Sequence, residues 1–335
     1  MEIIPEDLTG RQNFMVNKIL IVGGAGYIGG NMVDYIGKIP SIRTCSYKIS
    51  VLDSLVYEDR YLKQVDFFNL DIRDTKSLDK IIHNYDTVVF LAALVGDPAC
   101  AVDKQLSYEI NVTPVKWLAD NYKGKIVFMS TCSVYGKNDD LIDETATPNP
   151  LSVYAETKLE AEQYLHIVRP DSLIFRLGTL YGLGDTHSRL RLDLVVNVLT
   201  LKAALGETLS VFGGEQWRPL LHVKDVATAT YFGIDNKLSG IYNLSERNAT
   251  MRDIAETIVS EIPTAKVEYS EIPFQDMRNY KVKTDKISAT GWRPHYGLVH
   301  GIKEMYDVFK QKRIKKIEDD VYRNGNYIKK LYGKH

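Results

Sequence analysis

Lys18-Ile19-Leu20-Ile21-Val22-Gly23-Gly24-Ala25-Gly26-Tyr27-Ile28-Gly29 is the stretch on which the fold turns. Ile19 to Val22 form an unbroken apolar run, the mark of a strand buried on both faces. Glycines then recur at every third position, and a helical pattern follows over 30–36. A strand that turns through glycines into a helix lets the backbone approach a diphosphate, whose charge then rests at the helix N-terminus. The spacing is Gly-x-x-Gly-x-x-Gly, not the Gly-x-Gly-x-x-Gly of the simplest dinucleotide fold, so a plain tight turn is the competing explanation. Asp53 weighs against that alternative, because it ends the next strand at 49–52. A carboxylate there accepts hydrogen bonds from both ribose hydroxyls and repels a 2′-phosphate, which favours NAD over NADP.

Outward from this turn the first half of the chain alternates. Strand-like runs at 18–22, 49–52, 66–70, 87–92 and 125–129 are interleaved with helical patterns at 30–36, 75–84 and 104–122. A further helix at 154–168 feeds a strand at 172–177. This alternation predicts an α/β protein with a Rossmann-type, doubly wound parallel sheet. After Tyr181 strands become isolated, at 209–212, 220–223, 241–244 and 266–269, and loops carry Gly, Pro and Arg. A smaller α/β C-terminal lobe is expected, with 220–223 or 241–244 returning to the main sheet. The predicted division is an N-terminal extension over 1–17, a cofactor-binding domain with the catalytic residues over 18–180, and a mainly substrate-binding lobe over 181–335. Met15, just before the first strand, makes residues 1–14 read as an appendage. The tail at 310–330 has a charged helical pattern; Lys312, Arg313, Lys315 and Lys316 fit a solvated helix face better than a nucleic-acid patch.

Composition narrows the class. The 335 residues are 44% hydrophobic and 25% charged, with a net charge of -1. Such a balance gives no reason to expect nucleic acid or an anionic membrane as a partner. No apolar run approaches the ~18 residues of a membrane span. Cys45, Cys100 and Cys132 form no paired framework, which suits a reducing cytoplasm. His187 and His222 are not spaced with other ligands, so no metal is expected, and His222 in Leu-Leu-His-Val reads as a buried strand histidine.

The chemistry gathers further along. Ser130 and Thr131 leave the carboxyl end of the fifth strand, the edge at which open α/β sheets bind ligands. Tyr154 and Lys158 stand four apart on a predicted helix, which puts them on one face about 5–6 Å apart at Cβ. A free phenol titrates near ~10 and is a weak base at neutral pH. Lys158 and a positive nicotinamide ring would favour the phenolate, and the Thr131 hydroxyl could share the proton. Leu91, Ala92 and Ala93 end the fourth strand with small residues that permit close passage under a cofactor. Asp71 ends the third strand, where it serves either the adenine edge or a turn before Asp74.

Together these residues resemble the extended short-chain dehydrogenase/reductase family, in its nucleotide-sugar epimerase/dehydratase branch. The likeness runs from Lys18 to about Phe309: the glycine turn, Asp53, Asp71-Ile72, Leu91-Ala92-Ala93, Ser-Thr-x-Ser-Val-Tyr-Gly, Tyr154 with Lys158, and Arg176-Leu-Gly-Thr-Leu-Tyr-Gly. It continues through Arg218-Pro-Leu-Leu-His-Val-Lys-Asp and Asp276-Met-Arg278. The resemblance implies Thr131, Tyr154 and Lys158 as the catalytic set. It implies tightly held NAD, with Gly23, Gly26, Tyr27, Ile28, Gly29, Asp53, Asp71, Ile72, Leu91, Ala92, Ala93, Ser130, Tyr154 and Lys158 around it. A dimer through the helices at 104–122 and 154–168, or a higher homo-oligomer, is implied as well.

Two departures bear on the subclass. The 4,6-dehydratases of this branch follow the threonine with Asp-Glu, whereas Cys132 and Ser133 stand here. Without those carboxyls 4,6-dehydration is disfavoured. Thr179 occupies a place where such epimerases often have asparagine on the substrate phosphates. Arginine forks suit a diphosphate. Family position makes Arg218 and Arg278 the expected diphosphate or ribose ligands of a nucleotide-linked sugar, with Arg189 and Arg191 in the segment over the base. Asp97 and Cys100 either face the sugar or serve the loop. The chain therefore reads as an NAD-dependent enzyme of carbohydrate biosynthesis, a 4-epimerase acting through C4 oxidation. The alternatives are a net C4 dehydrogenase, a 4-keto-sugar reductase, or a non-enzymatic cofactor-binding regulator.

Overall fold

The computed structural model describes residues 15–38, 45–270 and 278–333. The appendage at 1–14, Asp276 and the Cys45 side chain lie outside the described residues. In chain order the strands are β1 (Met15–Val22), β2 (Cys45–Asp53), β3 (Asp66–Asn69), β4 (Thr87–Phe90), β5 (Lys125–Thr131), β6 (Lys137–Ile142) and β7 (Leu173–Leu177). There follow β8 (Thr179–Tyr181), β9 (Thr208–Phe212), β10 (Trp217–His222), β11 (Gly240–Leu244), β12 (Arg247–Thr250), β13 (Lys266–Ser270) and β14 (Asn279–Val282).

Seven strands build one all-parallel sheet in the order β11-β7-β5-β4-β1-β2-β3. The expected Rossmann architecture is present, and its two faces can be read from alternate residues. Ile19, Ile21, Val51, Val89, Val127 and Phe175 enter one core with Met32 and Val226 of two covering helices. Leu20, Val22, Leu52, Val88, Phe90 and Phe128 enter the other, with Leu78, Leu118 and Leu165. Each such side chain contributes ~1.5–3 kcal/mol when fully buried, so both faces drive the parallel pairing. Register sets the site. Val22 pairs with Leu52 and with Phe90, so the loops after β1, β2 and β4 leave the sheet side by side.

Of the two candidate returns to the sheet, Gly240–Leu244 is the one used, paired along Leu173–Leu177. The segment at 220–223 does not return: Leu220 to His222 belong to β10, between β8 and β12 in a separate three-stranded sheet, and Val223 opens a helix. Helices Val195–Leu205, Met251–Glu261 and Leu298–Lys310 close a third core around Leu209, Ile254 and Ile302.

Two helices expected as single pieces are broken. The pattern at 104–122 divides into Lys104–Asn111 and Thr113–Asn121, with Val112 between them. Pro114 has no N–H to offer the carbonyl one turn back. The tail pattern at 310–330 is not one helix either. It stops at Lys310, Lys312 takes a left-handed φ of 51°, and a new helix runs Asn324–Tyr332. Among the described residues no helix is long and apolar enough to cross a membrane.

Candidate active site

The glycine loop is shaped by contacts that a side chain would destroy. Gly23 has φ +84°, and a Cβ there would lie 2.5 Å from the Ala92 nitrogen. At Gly29 a Cβ would lie 2.5 Å from Gly24 Cα, whereas at Gly26 it would meet only Gly23 O, at 3.6 Å. The tight positions fix the turn and the open one leaves its outer side accessible. Ile28 provides no side-chain cap to the helix Gly29–Gly37; the Gly30 amide donates to Gly26 O at 3.2 Å, and the positive end of the helix follows directly on the glycine turn, as a diphosphate requires. Asp53 Oδ2 accepts from Ala25 N at 3.0 Å and Oδ1 from Leu55 N at 2.8 Å. Burial raises the Asp53 carboxyl, while the Leu55 and Ala25 amides pull it down. Asp53 thus stands where the sequence put it, and it also ties down the loop.

Other candidates on this side divide. Leu91 and Ala92 donate their amides to Val22 O at 2.8 and 3.0 Å, which presses the end of β4, with Ala93 beyond it, against the glycine turn. Ile72 is buried in the core. Asp71 engages Arg73 at 2.6 Å and accepts the Arg73 amide in an Asx turn. The Tyr27 phenol donates to Gly182 O at 2.5 Å, so its ring ties the loop to the second lobe.

Tyr154 and Lys158 lie on the helix Val153–Val168, capped by Ser152, whose Oγ accepts from Ala155 N. The Thr131 hydroxyl at the end of β5 stands beside the Tyr154 phenol, close enough to favour its charged form slightly. Thr131 Oγ1 also donates to Ser133 Oγ at 3.2 Å, and Ser133 Oγ lies 3.2 Å from the Tyr280 hydroxyl. Burial, then the nearby Cys100, drives the Tyr154 phenol well above its ordinary value. Burial brings the Lys158 ammonium, 4.2 Å from the Phe128 ring centre, down to about 7. Burial thus favours a protonated phenol beside an amine whose charge is disfavoured. Ser130 Oγ is buried without a partner at the same strand end. An orphaned hydroxyl, an uncapped helix start and a part-buried carboxylate at the end of β2 are together a donor and acceptor set that fits NAD.

Cys132 is fully buried, donates to Arg176 O at 3.2 Å, and is pushed far up by burial. No acid group stands at 132 or 133. Beneath the site Arg176 makes a buried pair with Glu162 at 2.5 Å and donates to Tyr135 OH.

Among the residues expected to meet a substrate, Arg278 pairs with Asp97 at 3.2 Å. Arg218 braces it from behind by donating to Arg278 O at 2.6 Å. Thr179 opens β8 opposite Leu220 of β10. Arg191 is buried against Asp193 at 2.7 Å. Arg189 sits 3.8 Å over the Tyr57 ring and donates to Asn324 Oδ1 at 2.5 Å. His222 is fully buried as expected. With His300 and Glu304 it brings ligand atoms within 4.8 Å. However, its Nδ1 accepts from Lys224 N, so Nε2 carries the proton and faces Glu304 at 2.8 Å, and the Lys224 ammonium neutralises that carboxylate at 2.6 Å. This is an ion-pair cluster.

Tyr57, Tyr280 and Asn324 carried no local signal in the sequence, because their partners lie far along the chain. For Asp97 the sequence leaves open whether it faces the sugar or serves the loop. Its partners are Ser152, whose Oγ donates to Asp97 Oδ1 at 2.6 Å, and Arg278.

The family model described as NAD dependent epimerase/dehydratase family matches residues 19–245. A Methanocaldococcus jannaschii protein named "Putative UDP-glucose 4-epimerase" is 26% identical over 309 residues, 87% of this chain and 98% of its own. The UDP-glucose 4-epimerase of Thermotoga maritima, solved with UDP-glucose, superposes with a TM-score of 0.74 at 23% identity over 89% of this chain and all of its own. The UDP-glucuronic acid 4-epimerase of Bacillus cereus, solved with UDP-glucuronic acid and NAD, gives 0.73 at 24% over 88% of this chain and 99% of its own. With the family model spanning both the glycine turn and the Tyr154 helix, this chain belongs to the NAD dependent epimerase/dehydratase family and is an NAD-dependent enzyme of the extended short-chain dehydrogenase/reductase type.

Proposed function

We propose that the chain is a nucleotide-sugar 4-epimerase. The observation that carries this is the Thr131–Tyr154 hydroxyl contact with Lys158 one turn on, in a site whose positions 132 and 133 offer no carboxyl. Tyr154 takes the proton of the sugar C4 hydroxyl, and Thr131 shares it. Lys158 supplies positive charge that favours the phenolate. NAD held there would supply the acceptor, and then the donor, of the C4 hydride, which keeps the net reaction redox-neutral. Gly23, Gly26, Gly29, Asp53 and Ser130 would hold the cofactor, and Arg218, Arg278 and Thr179 the sugar nucleotide. Between the two half-reactions the 4-keto sugar, anchored through its diphosphate, turns its other face, and Tyr154 gives the proton back. Elimination of water from C5 and C6 needs a proton donor that Cys132 and Ser133 do not provide. The 4-epimerases among the relatives support this assignment. A homodimer or higher homo-oligomer through the helices Lys104–Asn111, Thr113–Asn121 and Val153–Val168, in the cytoplasm, is part of the same proposal.

The test uses the purified protein. Denaturation should release NAD, and UDP-glucose offered with no added cofactor should yield its C4 epimer without net NADH. Other nucleotide sugars are assayed alongside. Tyr154→Phe should lower turnover by about 10²–10⁴, the usual worth of a general acid–base group. Stoichiometric NADH that needs an external oxidant would instead identify a net dehydrogenase, and undiminished turnover in the Tyr154 variant would remove the mechanism.

A further inference from the structure

Three buried polar atoms without partners cluster where the second lobe crosses the cofactor cleft: Arg189 Nη1, Tyr57 OH and Ser188 Oγ. The segment that carries two of them can be followed. It leaves the glycine loop at Gly182, which accepts the Tyr27 phenol. At Gly184 a Cβ would lie 2.5 Å from the Tyr27 ring, and the Asp185 carboxylate sits against Gly30 in the first turn of the helix after the loop. It reaches the far side at Arg189, whose amide donates to Glu58 Oε1 at 2.9 Å and whose guanidinium covers the Tyr57 ring at 3.8 Å. Tyr57 and Glu58 follow Asp53 on the loop out of β2. Residues 182–189 therefore span from the glycine turn to the β2 loop, the interval across which a dinucleotide lays its adenosine diphosphate.

The guanidinium is also locked from outside. Asn324, 2% exposed at the start of the C-terminal helix, accepts from Arg189 at 2.5 Å and donates to Val95 O at 2.8 Å, and its backbone N–H donates to Asp193 Oδ2 at 3.1 Å. Tyr327, one turn on, packs against the Tyr57 ring at 5.4 Å, and Ile328 is buried with Leu94, Ala99 and Cys100. The neighbouring Arg191 is neutralised by Asp193. Arg189 instead has a ring, an amide oxygen and one unused donor edge. A buried guanidinium in that state is destabilised: burial, then repulsion from Arg191, lowers it to about 10. An anion on the unpartnered edge relieves that cost.

We propose that Arg189 is a ligand to the diphosphate of bound NAD rather than to the substrate, and that Asn324 is the positioning residue through which the C-terminal helix latches it over the cofactor. The inference rests on NAD dependence and not on which sugar is epimerised.

The experiment compares wild type, Arg189→Gln and Asn324→Ala as purified holoenzymes. Two quantities are read: NAD per protomer with its release rate on dilution, and affinity for whichever of UDP, GDP, CDP or dTDP the wild type binds best. Both variants should release NAD at least about tenfold faster, the size expected for one lost charge-assisted hydrogen bond, with nucleoside diphosphate affinity within about twofold. Unchanged NAD release overturns the proposal. So does unchanged release with weaker nucleoside diphosphate binding, which would return Arg189 to the substrate. If Asn324→Ala does not fold, Arg189→Gln and Tyr327→Ala carry the same readouts. A variant that only melts earlier, with NAD release unaltered, assigns the helix a merely structural part. Loss of 4-epimerase activity in the wild type would leave the NAD readouts intact.

Discussion

Ser152 Oγ donates to Asp97 Oδ1 at 2.6 Å, and this one bond joins the loop after β4 to the N-cap of the helix that carries Tyr154 and Lys158. The second oxygen of the same carboxylate pairs with Arg278 at 3.2 Å. One carboxylate thus braces the catalytic helix and occupies a guanidinium suited to a diphosphate. Both side chains of the ion pair are 30% exposed, so solvent screens it and it is worth at most about 1 kcal/mol.

The pair therefore competes with substrate weakly. Asp97→Ala should tighten binding of the nucleoside diphosphate by about twofold to fivefold, the equivalent of a screened surface pair. Titration calorimetry reads this directly. Weaker or unchanged affinity would take Arg278 out of the substrate's reach.

Asp53 is expected to act twice. Its carboxylate holds the Ala25 and Leu55 amides in the structure, and its place at the end of β2 suits the adenosine ribose. Asp53→Ala should weaken NAD binding at least about tenfold, since a charge-assisted acceptor is lost. It should also narrow the preference for NAD over NADP, because the repulsion of a 2′-phosphate goes with it. Equal loss for both dinucleotides would confine Asp53 to bracing the loop.

The difference between what the sequence discloses and what it hides follows contact range. The glycine turn, Asp53 and the Tyr154–Lys158 spacing are local patterns, and register alone brings them together, since Val22 pairs with both Leu52 and Phe90. The breaks at Val112 and Lys312 are local too, yet a helical period continues through them, and only the Pro114 backbone or a left-handed φ interrupts the hydrogen bonding. Asn324 meets Val95 across 229 positions and Tyr280 meets Ser133 across 147. No period or motif encodes such a pairing, because it is fixed by how the lobes and tail pack.

Tyr280 offers a test of one long-range pairing. Burial raises its phenol, so it remains a hydroxyl through neutral pH and holds Ser133, which in turn meets Thr131. Tyr280→Phe keeps the ring and removes the far end of this chain. Turnover should fall by about twofold to tenfold with KM unchanged, matching one net hydrogen bond of about 0.5–1.5 kcal/mol. Full turnover would mean that Thr131 works without this support.

Lys158 should leave a thermodynamic trace in the NAD-free protein. Burial holds its ammonium down to about 7 in the folded chain, against an ordinary value of ~10.4 when unfolded. Between these values the unfolded chain binds a proton that the folded chain does not, so this group makes stability rise with pH from about 7 toward ~10.4. Below about 7 the folded state bears the full cost of a buried charge. Lys158→Met keeps the bulk and removes the titration. Urea denaturation of NAD-free wild type and variant at about pH 6, 7.5 and 9 should show the variant more stable, most of all at the lowest pH, with the gap closing as pH rises. A gap independent of pH would mean that the lysine stays charged throughout. The same variant should lose turnover once NAD is restored, because the charge that burial makes costly to the empty fold is the charge that draws the proton from the sugar hydroxyl to Tyr154.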